Sequence, residues 1–188
     1  MYKLCKTDQS AARQRQLEQG LLALMQEKNY EDISISDLCD RMQIPRRAFY
    51  RYFTSKDGAL FALLDHTLMD FYMEEPQDPS ETALGDLKHF FRFWQDHKDL
   101  LEALDKSHLA GIMIERATIM AQQERKLPQL VTALPDDVQR LAMTFTISGL
   151  MAMVFTWHKQ GFTVPPVEIT KLAIAMLTQP LLSRERAL

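Results

Sequence analysis

Ile33-Ser34-Ile35-Ser36-Asp37-Leu38-Cys39-Asp40-Arg41-Met42, then Gln43-Ile44-Pro45, then Arg46-Arg47-Ala48-Phe49-Tyr50-Arg51-Tyr52-Phe53-Thr54-Ser55-Lys56-Asp57: this stretch decides how the chain is to be read. Ile35, Leu38, Cys39 and Met42 recur at i, i+3, i+4, i+7, which predicts a short helix burying one stripe. Ser34 or Ser36 can cap it, and Asp37 favours its positive end. Pro45 has no amide proton to lose at a helix start, and its fixed φ suits that place, so it ends a turn and opens a second helix. Three arginines and two tyrosines fall within the seven residues from Arg46 to Tyr52. Phe49 and Phe53, four apart, give this helix an anchoring face. Arg46, Arg47, Tyr50 and Arg51 are left for a partner rich in acceptors and negative charge, for which DNA is the natural candidate.

Working outward, a first helix from about Ser10 to Lys28 places Leu17, Leu21, Leu24 and Met25 on one face, fit to brace the pair from behind, with Arg13 and Gln16 on the polar side. A connector helix from Ser55 toward Met73 follows, through Leu60, Leu63, Leu64, Leu68 and Phe71, and stops at the Pro76 to Pro79 break. Beyond it the spacing predicts a helix over Glu81 to His97 with Leu84, Leu87, Phe91 and Trp94 inward. Lys98-Asp99 reads as a separator before Leu100 to Asp105, and Ser107 to Lys126 as another helix. Pro128 and Pro135 bracket a loop. Asp136 to Lys159 reads as a long helix, apolar on almost every side between Ala142 and Val154, which implies burial all round or a partner chain. Gly161 and Pro165-Pro166 end it, and Val167 to Leu182 supplies a last amphipathic helix. Nothing reads as a strand pair, so the fold class is all-α, with about nine helices.

The recognition stretch resembles the TetR family of bacterial transcriptional regulators. Phe49-Tyr50-Arg51-Tyr52-Phe53 followed by Ser55-Lys56-Asp57 matches the aromatic-Tyr-x-(Tyr or His)-Phe and Ser-Lys-acidic signature that ends its DNA-binding domain. Asp37-Leu38-Cys39, and Ile44 with Arg46 ahead of Phe49-Tyr50, look most like members from Gram-positive bacteria. The chain departs in having Pro45 where the family often has Ser or Asn, and Arg47 where it often has a small residue. The resemblance implies a three-helix DNA-binding domain over residues 1–54 and a helical effector-binding and dimerisation domain over 55–188. It implies DNA contacts from Ser34, Ser36, Arg46, Arg47, Tyr50, Arg51, Tyr52 and Lys56. Arg46 and Arg47 are suited to base edges, since Arg can address guanine in a bidentate way, and Tyr50, Tyr52 and Lys56 to phosphates. It further implies a palindromic operator, a homodimer, and repression relieved by a small hydrophobic effector or, alternatively, by a partner protein bound at the C-terminal domain.

The effector pocket is expected to use Phe91, Trp94, His108, Met113, Met120, Phe145 and Trp157, since methionine with aromatics suits an adaptable apolar cavity. Ordinary core packing accounts for any one of them equally well. Ser148, Gly149, Ala152, Met153, Leu172 and Met176 are the expected dimer interface, the small residues allowing close helix approach.

Charge agrees with this division of labour. The chain carries a net charge of −3, but residues 1–57 hold 10 basic against 8 acidic side chains and residues 58–188 hold 12 against 17, so the positive excess sits on the expected DNA reader. No uninterrupted apolar run approaches the roughly 20 residues a membrane span needs, and a cytoplasmic protein is expected. Cys5 and Cys39 make no disulfide framework. His66 with Asp70, and His108 with Glu115, lack third and fourth ligands at motif spacing, so no metal or cofactor is expected. There is no nucleophile elbow, phosphate loop or His-Glu-x-x-His, and an enzyme is the remote alternative.

Overall fold

The computed structural model describes residues 2–74, 83–124 and 135–178, and all secondary structure elements among them are helical. The nine α-helices are α1 (Asp8–Glu27), α2 (Ile35–Arg41), α3 (Arg46–Phe49), α4 (Lys56–Met73), α5 (Ala83–Asp96), α6 (Lys98–Lys106), α7 (Ala110–Glu124), α8 (Asp136–Lys159) and α9 (Pro166–Thr178), with a 3₁₀ turn at Tyr30–Asp32. They form two compact units, Met1–Met73 with Asp99–Met120, and Glu74–Lys98 with Ala121–Leu188. The expected start at Glu81, the breaks at Pro76 to Pro79 and Pro128, and the end of the last helix beyond Thr178 lie outside the described residues.

In the first unit α1 is the central strut, packing on α2 and α4, while α2 packs on α3. Its predicted face is buried at Leu17, Leu21, Leu24 and Met25. Gly20 faces α2: a Cβ there would lie 2.5 Å from the Met42 sulfur and 3.2 Å from Leu38 Cδ1, so a side chain would displace the Met42 thioether and crowd Leu38. Leu38 and Cys39 are buried, with Ile35 and Met42 at the margin. α2 closes through Gln43 at φ 51°, a left-handed conformation uncommon for a residue with a Cβ, which lets the Ile44 amide donate to the Cys39 carbonyl at 3.0 Å.

Beyond shifts of a residue or two at other ends, α3 stops at Phe49, short of the Phe53 expected on it, and two further boundaries differ from the sequence reading. Lys98-Asp99 does not separate helices; it opens α6, with Asp99 in the first turn where a carboxylate offsets the unsatisfied amides. The next helix begins at Ala110 instead of Ser107, because His108 adopts φ 57° and directs the Leu109 amide to the Leu104 carbonyl at 2.7 Å, which terminates α6 first. The long α8 spans Asp136–Lys159 as its pattern predicts.

In the second unit α9 packs along α5, and α5 contacts α8. Phe91, Trp94, Met151, Val154 and Trp157 form its core, with the Phe91 and Trp157 rings edge to face at 5.9 Å.

The cap of α2 yields a pH-dependent prediction. Ser34 and Asp37 form a reciprocal capping box, and one Asp37 carboxylate oxygen accepts from the Ser34 amide at 2.7 Å and from Lys28 Nζ at 2.9 Å. The Ser34 amide above all, with Lys28 and the Ser34 hydroxyl, lowers the Asp37 pKa from 3.8 to about 2. A depressed folded-state pKa means stability present above the unfolded value and lost as pH falls through the folded one. Asp37→Asn should therefore unfold at lower urea concentration than wild type at neutral pH, and the gap should close between pH 3.8 and about 2.

Candidate nucleic-acid interface

The reading element is short. α3 has four residues, Pro45 stands at its N-cap without a side-chain cap, and Tyr50 to Tyr52 continue as turns in which the Tyr52 and Phe53 amides both donate to the Phe49 carbonyl, at 2.9 and 3.1 Å. The predicted anchor is present: Phe49 and Phe53 are wholly buried with ring centroids 5.2 Å apart. Their burial leaves Arg46, Arg47, Tyr50 and Arg51 exposed side by side, with Tyr52 half-buried. Among the described residues no hydrogen bond or ion pair engages any of the three guanidinium groups, so each keeps its donors for a ligand.

The remaining expected contacts are differently placed. Ser34 is exposed, but its hydroxyl donates to Asp37 at 2.9 Å and accepts the Asp37 amide at 3.1 Å, so it serves the cap. Ser36 is half-buried beside it. Lys56 turns back onto the 3₁₀ turn, its ammonium donating to the Tyr30 carbonyl at 2.6 Å and the Glu31 carbonyl at 3.3 Å while lying 4.2 Å from the Tyr30 ring centroid. Tyr30 in turn donates to Asp57 at 2.6 Å, and burial first, then that carboxylate, push its phenol pKa up. Lys56 is thus a structural clamp at the start of α4.

The segment ahead of α1 packs on the same turn and carried no periodic signal in the sequence. Tyr2 pairs with Phe53 in an isolated antiparallel bridge, the Lys3 amide donates to the Tyr52 carbonyl at 2.9 Å, and Lys3 Nζ donates to the Tyr50 carbonyl at 3.0 Å. His66 and Asp70, weighed as a metal pair, are each taken by α1: His66 Nδ1 lies 2.9 Å from both Glu18 carboxylate oxygens, and Arg15 holds Asp70 through two bonds of 2.8 Å. Among the described residues no group of three or more potential ligands could hold a metal ion.

The expected pocket residues divide between the units. Phe91, Trp94 and Trp157 share the aromatic core of the second; His108, Met113 and Met120 belong to the first, His108 exposed and Met113 buried. Phe145 is 73% exposed on α8. It falls on a continuous exposed stripe with Val138, Leu141, Gly149, Ala152 and Thr156. Of the expected interface residues, Gly149, Ala152, Leu172 and Met176 are exposed, with Ser148 and Met153 half-buried. An open groove of about 360 Å³ between α8 and α9 is lined by Gly149, Ala152, Met153, Thr156, Ile169 and Leu172, among others.

Residues 19–63 match the model of the bacterial regulatory proteins of the tetR family. None of the curated proteins compared with the chain matches it. Among solved structures it is similar to the fatty acid degradation regulator FadR from Bacillus halodurans, at 17% identity over 95% of this chain and 98% of that one, with a TM-score of 0.57. It is similar to the dihydroxyacetone kinase operon activator DhaS, at 17% identity over 87% and 93%, with a TM-score of 0.55. A tetR-family transcriptional regulator from Streptomyces coelicolor aligns at 20% identity over 88% and 78%, with a TM-score of 0.54. Identities of this size make these likenesses of fold. The match over the α1 to α4 segment identifies residues 19–63 as a helix-turn-helix of the tetR-family type of bacterial regulatory proteins, on a helical fold shared with regulators of that kind.

Proposed function

We propose that the chain is a cytoplasmic, homodimeric repressor that holds a palindromic operator through residues 1–54 and is released when a small hydrophobic effector occupies residues 55–188. This division of function need not follow the compact units. The observation that carries the DNA reading is the row of exposed Arg46, Arg47, Tyr50 and Arg51 over the buried Phe49 and Phe53. Arginine at the start of such a helix reaches base edges in the major groove, and the tyrosine hydroxyls suit phosphate oxygens. The fold neighbours include a protein named as an operon activator, so repression is a choice of sign that binding alone does not dictate. No catalytic role belongs to this reading.

The dimer is supported by α8. By length and hydropathy this helix could cross a membrane, yet Leu150, Met151, Val154, Phe155 and Trp157 on one side are buried in the second unit. The exposed side carries Leu141 and Phe145 at 73% exposure each, and α9 adds Leu172 and Met176. A second copy covers such a surface, with Gly149 and Ala152 allowing helices to approach closely. On this reading Phe145 is an interface residue.

The effector is supported by Trp94, fully buried, whose indole N–H meets no acceptor among the described residues. A buried donor left unsatisfied costs about 1–3 kcal/mol, so a ligand bringing one acceptor on an apolar body gains by pairing with it.

Three outcomes test the proposal. Arg46→Ala or Arg47→Ala should cost about 1–3 kcal/mol in operator binding and relax preference at one base pair per half-site, whereas Lys56→Ala should weaken all duplexes alike and flatten the salt dependence by about one charge. Lys56→Ala should also unfold at lower temperature, since two carbonyls of the 3₁₀ turn lose their donor; identical, sequence-blind losses in all three variants would contradict base reading by the arginines. In sedimentation, the wild type should run as a dimer at micromolar concentration and Leu172→Glu as a monomer or insoluble chain, because an unpaired charge in a packed interface costs several kcal/mol. Decanoic acid, a first probe suggested by the regulator named for fatty acid degradation, should change tryptophan fluorescence and weaken operator binding together. Should apolar compounds change neither while a protein from the cell extract changes both, the partner-protein alternative takes its place.

A further inference from the structure

A four-residue helix cannot satisfy its own terminal carbonyls, and nucleating so short a helix is unfavourable in isolation, so α3 must be held from outside. Part of that hold comes from the segment ahead of α1. Its backbone and Lys3 ammonium take the Tyr52 and Tyr50 carbonyls at the end of the reading turn. The same segment is tied to α1, where Gln14 Nε2 donates to the Lys3 carbonyl at 3.2 Å and Cys5 Sγ donates to Gln14 Oε1 at 2.9 Å.

Its fixed point is Tyr2. The phenol donates to Asp65 Oδ2 of α4 at 2.9 Å, and the ring meets the His66 ring edge to face at 5.6 Å. Asp65 is buried, and Arg116 of α7 grips both of its oxygens, with Nε 2.7 Å from Oδ1 and a second bond from Nη2 to Oδ2. A buried carboxylate held this way has strong directional demand for its third donor, since charge-assisted bonds in a low-dielectric setting are the strong ones. Burial, foremost, and Asp65 raise the Tyr2 pKa to about 12, so the phenol remains the donor across the physiological range.

We propose that Tyr2 is a positioning residue for DNA reading: residues 2–6 form a strap that fixes the recognition turn to the Asp65–Arg116 pair, so the aim of Arg46 and Arg47 depends on a phenol that touches no DNA. The inference rests on the DNA-binding reading for its consequence, but the strap itself is a property of the free protein. It gives α7, through Arg116, a direct mechanical connection to the reading turn by way of α4.

Tyr2→Phe removes only the hydroxyl and keeps the ring against His66. In the full-length protein, exchange of the Lys3 amide followed by NMR should speed up about tenfold, from loss of a bond to a charged acceptor. Affinity for a duplex recovered by the wild-type protein from a random-sequence pool should fall about tenfold by the same reasoning, with relaxed base preference. Thr67→Val, which removes a buried hydroxyl on the same helix away from the strap, is the control for lost stability: Thr67 Oγ1 donates to the Leu63 carbonyl at 2.8 Å. It should leave Lys3 exchange and DNA affinity at wild-type values. Unchanged Lys3 exchange in Tyr2→Phe, or equal loss of DNA affinity in the two variants, overturns the proposal. If the wild type recovers no duplex from the pool, the DNA-binding reading has failed and the positioning role goes with it, while the exchange rates still report whether the strap itself exists.

Discussion

A helix of one turn has almost no hydrogen-bond ladder of its own, and this protein sets the exposed Arg46 and Arg47 on such a helix. Everything around α3 answers that constraint. Burial of Phe49 and Phe53 fixes its inward face, Gly20 leaves room for the Met42 and Leu38 side chains behind it, and the Lys3 amide and ammonium hold the Tyr52 and Tyr50 carbonyls at its far end. The hydrophobic anchor supplies most of the free energy, at roughly 1.5–3 kcal/mol for each large side chain buried. It is non-directional, however, and cannot by itself set the rotation of the arginine row. Direction comes from the hydrogen bonds, which are worth less individually but are specific in geometry.

The polar interior of the first unit follows the same logic. Asp65 and Glu18 are buried carboxylates, and each is met by a donor from another element, Arg116 and Tyr2 in one case and His66 in the other. Replacing a buried ion pair with apolar residues is often neutral or stabilising, so such pairs are weak evidence for stability. Their value here is in registering α1, α4 and α7 against one another, a task apolar packing performs with less precision. Lys56 belongs to the same set, since the cation that starts α4 also closes the 3₁₀ turn over the Tyr30 ring.

The second unit faces a different problem, an excess of apolar surface. α8 buries one side against its own unit and leaves Val138, Leu141, Phe145, Gly149 and Ala152 on the other. A helix apolar all round must be buried all round, and a single chain provides burial for only one side of this one. The groove between α8 and α9 has the same character, with Gly149, Ala152 and Leu172 in its lining. Under the proposed dimer, this is the surface that a second copy covers.

What the sequence determined by itself was local. Apolar spacing of 3.6 residues, Ser34 with Asp37, Pro45, and the Phe49/Phe53 pair are interactions within one or two turns, and their consequences were legible before any tertiary contact was known: the α2 cap, the start of α3, its buried face, and the span of α8. Even so, the early end of α3 escaped, as did two other helix ends, because whether His108 adopts a left-handed φ and whether Asp99 starts a helix depend on small energy differences that flanking residues decide. What only the tertiary structure decided involves partners distant in sequence. Tyr2 meets Asp65 and Arg116 meets Asp65 across gaps of 63 and 51 residues, and a residue type at such a separation carries no periodic or spacing signal. Phe145 teaches the same lesson from the opposite side. An aromatic on an almost uniformly apolar helix has no local mark of which way it faces, and only the packing of α8 in its unit turned it outward.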